Sequence, residues 1–184
     1  MIQIRSGVFE TNSSSTHSIA IPRDCRPSNY ISFNDDEFGW GFSQVDPADY
    51  FYTAIHETSE TMEELEEKLA RLKYILNDYG IEYHFSETNC EEHAGWLEHK
   101  GYIDHGYELR DFVNDLLDNG DKLVRFLSGG LVFTGNDNSE SYGFLERNSE
   151  FIENYDWREN KWYRTKNDYY MENCDDYEWY SKGN

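Results

Sequence analysis

Residues 5–21 read Arg5-Ser6-Gly7-Val8-Phe9-Glu10-Thr11-Asn12-Ser13-Ser14-Ser15-Thr16-His17-Ser18-Ile19-Ala20-Ile21, after an apolar start, Met1-Ile2-Gln3-Ile4. Apolar residues flank an unbroken run of hydroxyl, amide, acid and imidazole groups. That is the pattern of a strand, a polar turn and a second strand. Such a turn presents many donors and acceptors from a rigid base, as binding loops do. With strands at the N-terminus and helical periodicity further on, the expected class is α+β. We expect a single domain with a mixed or antiparallel sheet and about three main helices.

The segment that follows, to about residue 45, is loop-like, with Pro22, Pro27 and Glu37-Phe38-Gly39-Trp40-Gly41-Phe42. A Trp between glycines reads as a packed aromatic in a tight turn, or as a stacking platform for a ligand. Asp46-Pro47 has the form of an N-cap and a first-turn proline. It starts a helix to about Glu57 that buries Tyr50, Phe51, Ala54 and Ile55, with a charged His56 favourably placed at its end. Thr61 and Glu64 form a capping box. The helix they start carries a seam of Met62, Leu65, Leu69, Leu72, Leu76 and Tyr79. Glu64 with Lys68, and Glu67 with Arg71, are i,i+4 pairs. Ile81–Phe85 alternates like a strand. Tyr107–Asn119 reads as a third helix, with Leu109, Phe112, Val113, Leu116 and Leu117 inward. Leu123–Leu127 and Leu131–Thr134 are short apolar runs, read as strands or as a helix end and a strand. Gly135-Asn136-Asp137-Asn138-Ser139 is a turn.

From about residue 148 the composition shifts to Tyr and Trp interleaved with acids. The expected organisation is a core over 1–147 and an aromatic, acidic segment over 148–184. That segment packs as an edge strand pair or serves as an interaction arm.

Charge narrows the function. The 184 residues include 37 acidic and 16 basic ones, for a net charge of -21. Such a chain repels phosphate backbones, so direct binding of nucleic acid is disfavoured, and it attracts basic surfaces. At 17% aromatic residues it is too rich in rings for an acidic disordered chain. Three scattered cysteines, Cys25, Cys90 and Cys174, argue against a disulfide framework and for a reducing cytosol. Neither a secretory leader nor an apolar run of membrane-spanning length is expected. The seam also allows a homodimer as well as a monomer.

Three constellations can carry chemistry. Arg5, Ser13, Ser14 and Ser15 can hold a phosphate through hydroxyls, backbone amides and a guanidinium. His17, Asp104 and His105 can supply acid–base chemistry if they converge, with Asn136-Asp137-Asn138 near them. Cys90, His93, His99 and His105 offer one thiolate and three imidazoles, a possible tetrahedral zinc set, although only Cys90 and His93 are tightly spaced. No cofactor is expected on the leading reading.

The string Arg5–Ser18, with Glu37-Phe38-Gly39-Trp40-Gly41, Tyr102-Ile103-Asp104-His105 and Phe133-Thr134-Gly135-Asn136-Asp137-Asn138, resembles a group of small proteins from phages and mobile elements of Gram-positive bacteria. The N-terminal string is the specific part. The resemblance implies a bacterial cytoplasm and carries no agreed activity. Small, strongly acidic phage proteins often resemble DNA mimics, including anti-CRISPR proteins and inhibitors of restriction enzymes.

The expected function is therefore inhibition of a host defence nuclease. An acidic face would occupy the basic channel in which an RNA-guided DNA nuclease holds its strands. The acids expected to act are Glu63, Glu64, Glu66 and Glu67 on one helix, and Asp168, Glu172, Asp175, Asp176 and Glu178 in the tail. The alternative is an enzyme on a nucleotide or phosphorylated substrate, working through the N-terminal Ser/His motif.

Overall fold

The computed structural model describes residues 15–39, 43–104, 109–136, 151–156, 161–166 and 177–182. The Arg5–Ser14 part of the N-terminal motif lies outside these, as do Trp40, His105, Asp137, Asn138, Asp168, Glu172, Asp175 and Asp176.

The fold is α+β, as expected. Strand β1 (Ser15–Pro22) carries the apolar Ile19-Ala20-Ile21. It pairs antiparallel with β9 (Leu131–Asn136) on one side and β12 (Tyr177–Lys182) on the other. Strand β4 (Ser43–Val45) adds to β9, giving the order β12-β1-β9-β4. One strand of the C-terminal segment therefore edges this sheet. Two others, β10 (Phe151–Asp156) and β11 (Lys161–Lys166), pair with each other.

Smaller strand pairs frame the helices. Strand β2 (Tyr30–Phe33) runs parallel to β5 (Glu82–Phe85), and β3 (Glu37–Phe38) runs parallel to β8 (Tyr102–Ile103). Strands β6 (Glu91–His93) and β7 (Trp96–Glu98) make a hairpin around Gly95, whose φ of 87° is a conformation glycine adopts without strain.

Helix α1 (Pro47–Glu57) is the centre of the molecule. Asp46 caps it by accepting from the Ala48 N–H at 2.8 Å, with Pro47 in the first turn. It is buried almost all round: Tyr52, Thr53 and His56 are inside as well as the expected Tyr50, Phe51, Ala54 and Ile55. A helix without a polar face needs cover on every side. Helix α2 (Met62–Asp78), α3 (Leu109–Asp118) and α4 (Gly120–Gly129) supply much of it. Phe51, Phe112 and Phe126 meet edge to face, with centroids 5.5–6.2 Å apart, the arrangement that ring quadrupoles favour.

Four helices occur among the described residues, one more than expected. Leu123–Leu127 lies inside α4, which Asn119 caps by accepting from the Lys122 N–H at 3.1 Å. Gly120 reads in sequence as the stop of α3, and it is also the first residue of α4.

Two details of α2 differ from expectation, the Glu67–Arg71 ion pair and the place of Tyr79 in the seam. The Glu67–Arg71 pair gives way to Arg71 donating to the Leu117 carbonyl at 3.2 Å. The seam is buried at Leu65, Leu72 and Leu76 in the chain's own core, while Tyr79 is exposed. No described helix is long and apolar enough to cross a membrane.

Candidate functional site

Parts of all four strings that carry the phage resemblance meet around His17. Strand pairing sets Glu37 beside Tyr102 and Phe38 beside Ile103, and it places His17 opposite Thr134. Gly39, with φ 107°, follows β3. A Cβ there would lie 2.7 Å from the Cβ of Asp104, so only glycine allows the two segments to come this close.

The His17 side chain is buried and bonded at both ring nitrogens. Nε2 lies 2.8 Å from the Asp104 carbonyl, and Nδ1 lies 3.0 Å from the Tyr50 hydroxyl. A carbonyl only accepts, so Nε2 carries the proton and Nδ1 accepts from Tyr50. Burial pushes the Tyr50 phenol up, which keeps it a donor. The Asp104 carboxylate accepts from the Tyr102 hydroxyl at 3.2 Å. His17 thus meets Asp104 through that residue's backbone carbonyl and not its carboxylate, and His105 lies outside the described residues. The ring joins β1, α1 and the end of β8. Thr134 Oγ1, on the strand opposite, is buried without a hydrogen-bond partner among the described residues. Of the proposed phosphate ligands, Arg5, Ser13 and Ser14 lie outside the described residues. Ser15 begins β1, opposite Asn136.

Of the four zinc candidates, His105 lies outside the described residues, and Cys90, His93 and His99 do not gather as a ligand group among the described residues. Cys90 is a free thiol beside α2. The His99 side chain is 4% exposed and is held between two acids. Its Nδ1 faces both oxygens of Asp35 at 3.1 Å, and its Nε2 faces Glu57 at 3.3 Å. Burial opposes charge on His99, but the hydrogen bonds of Asp35 and Glu57 outweigh it, and the pKa rises to about 9. Burial also works against the Asp35 carboxylate, which His99 and the Gly101 N–H hold below its ordinary pKa. His56 differs from the charged helix-end residue expected. It is 2% exposed, its Nδ1–H donates to the Tyr52 carbonyl at 2.8 Å, and burial lowers its pKa.

The β6–β7 hairpin offers a different donor set. Donor atoms of Glu91, His93 and Glu98 lie within 4.8 Å of one another, on an exposed face where Glu91 is directly opposite Glu98. These residues can hold a divalent cation, which would relieve the like-charge pairing.

The acidic surface is where the fold adds most to the sequence. Glu63, Glu66 and Glu67 are exposed on α2. Glu64 is committed to structure: it pairs with Lys68 at 2.8 Å and Arg110 at 2.9 Å, and it accepts from the Glu60 N–H. The hairpin docks beside this helix, where the Glu92 carboxylate accepts the Met62 N–H at 2.8 Å. That contact satisfies an open donor at a helix N-terminus and suits its dipole. Glu66 of α2 and Glu91 of the hairpin line one groove. Trp96 is 51% exposed on the hairpin and stacks on His93 at 4.4 Å. Sequence reasoning missed these hairpin acids, whose one signal was Glu91-Glu92 beside a histidine. Of the tail acids, only Glu178 lies within the described residues, on β12 opposite Ile21.

Comparison with known protein families, curated proteins and solved structures finds no match for this chain.

Proposed function

We propose that this chain is an acidic binding protein that occupies the basic nucleic-acid channel of a partner. A host RNA-guided DNA nuclease, which holds its strands in a basic channel, is the partner that this acidity fits. One observation carries the reading. The Glu92–Met62 contact brings the acidic β6–β7 hairpin, which carries an exposed tryptophan, against the N-terminus of the acidic helix α2, and Glu66 and Glu91 line one groove between them. Charge on such a face steers a basic surface into register, and a large aromatic is the residue type that anchors an interface. The net charge of -21 supplies the long-range attraction.

The test is a tagged pull-down from bacterial lysate at low and high salt, with mass spectrometry of the bound proteins. Recovery of a nucleic-acid enzyme at low salt, its release at high salt and its displacement by DNA support the reading. Capture unaffected by both salt and DNA, or no specific capture, rejects it.

A further inference from the structure

An open groove of about 590 Å³ runs beside α2, within the range of sites that take a side chain or small ligand. Met62 and Leu69 form its apolar wall, and Tyr52 and His56 of α1 lie buried at its floor. Glu66 and Glu91, both exposed, stand at its mouth, and no lysine or arginine lines it. Its wall on α2 is apolar, Thr88 and Asn89 add polar groups to the lining, and its entrance is anionic.

We propose that this groove receives an arginine side chain from a basic segment of the partner, an inference that rests on the acidic-face reading above. The alkyl stem packs against Met62 and Leu69, and the guanidinium meets Glu66 and Glu91. Charge complementarity selects this occupant. A purely apolar side chain would leave two carboxylates at the rim without a partner. The planar guanidinium is more weakly hydrated than an ammonium, donates to two acceptors in a fork and stacks on rings, so arginine suits the slot better than lysine. Two further features fit. Burial holds His56 uncharged, so it does not repel a cation, and its Nδ1–H bond leaves Nε2 as the ring's acceptor. Asn89, exposed in the same lining, adds a side-chain carbonyl that can accept from a guanidinium N–H.

The experiment titrates the full chain, by calorimetry, with an end-blocked hexapeptide of alternating arginine and leucine. Two matched peptides carry lysine or uncharged citrulline in place of arginine. We expect binding by the arginine peptide, weaker binding by the lysine peptide and none by citrulline. The double variant Glu66→Gln/Glu91→Gln should weaken arginine binding by about tenfold or more, as loss of anchoring contacts does. The control Asp78→Asn/Glu82→Gln removes the same charge elsewhere on the surface and should change it less than about twofold. Equal losses in the two variants mean diffuse charge attraction and overturn the groove. Equal binding of citrulline and arginine means that the guanidinium charge is not recognised and overturns it too. Lysate capture tests the acidic-face reading separately. A nuclease captured equally well by wild type and Glu66→Gln/Glu91→Gln overturns the groove and leaves that reading standing.

Discussion

His17 of β1 donates its Nε2–H to the backbone carbonyl of Asp104 at 2.8 Å, across 87 positions of sequence. With Tyr50 bonded to the other nitrogen, one ring ties the central sheet to the core helix and to the end of β8. This histidine of the N-terminal motif therefore has a structural role.

Its removal should be felt as instability. His17→Ala leaves the Tyr50 hydroxyl and a buried carbonyl unsatisfied, for a loss of about 2–4 kcal/mol. Tyr50→Phe removes one donor and should cost about 1–2 kcal/mol. Urea unfolding measures both as lower midpoints. Full stability in His17→Ala would refute the structural role.

Gly39→Ala tests the close approach of β3 to β8. The added methyl meets the Cβ of Asp104 at 2.7 Å, on a backbone with φ 107°. Overpacking and strain together predict a loss of about 2–4 kcal/mol in thermal or urea unfolding. Gly95→Ala is the comparison: its φ is also positive, but nothing lies within 4 Å of the new methyl, so its loss should be smaller.

Stability should fall as pH rises from about 6.5 to about 9. The folded pKa of His99 is about 9, against an ordinary 6.5. A raised pKa contributes stability in full below the unfolded value, and the contribution disappears as pH passes the folded value. His56 acts in the opposite sense. Burial lowers its pKa, so its contribution is lost in acid, below about 6.5. Urea midpoints at pH 6.5, 7.5 and 9 should decline for wild type and flatten in His99→Gln. An unchanged slope in that variant assigns the titration to other groups.

Reversing Glu63, Glu66 and Glu67 to lysine should slow association with the partner by about tenfold or more and flatten its salt dependence. These residues are exposed, so the melting temperature should hardly move. Glu64→Gln should behave differently: it removes the counter-ion of the buried Lys68 ammonium, which keeps only neutral acceptors on Thr58 and Ser59, and stability should drop. Surface plasmon resonance and calorimetry separate the two effects.

Trp96→Ala should weaken partner binding by about tenfold or more and leave the fold intact, because half of the ring is already in water. Unchanged affinity would place the interface away from the hairpin.

Local chemistry was enough to read several parts of this chain. Asp46-Pro47 and Thr61 start helices because capping depends on side chains within three residues. Leu65, Leu72 and Leu76 face inward because helical period alone puts them on one stripe. The net charge, and with it the leading function class, is a sum over residues. What local chemistry cannot supply is meeting across distance. Asp35 and Glu57 enclose His99 because the β2–β3 connection, the end of α1 and the β7–β8 connection pack together. That enclosure removes His99 from the zinc set its spacing suggested. Thr134, Gly39 and Asp104 join His17 through sheet register, and the hairpin acids join α2 through one carboxylate at a helix end. A side chain's type is written in the chain, but its burial and partners come from packing, and these determine whether a histidine titrates, binds or only holds the core together.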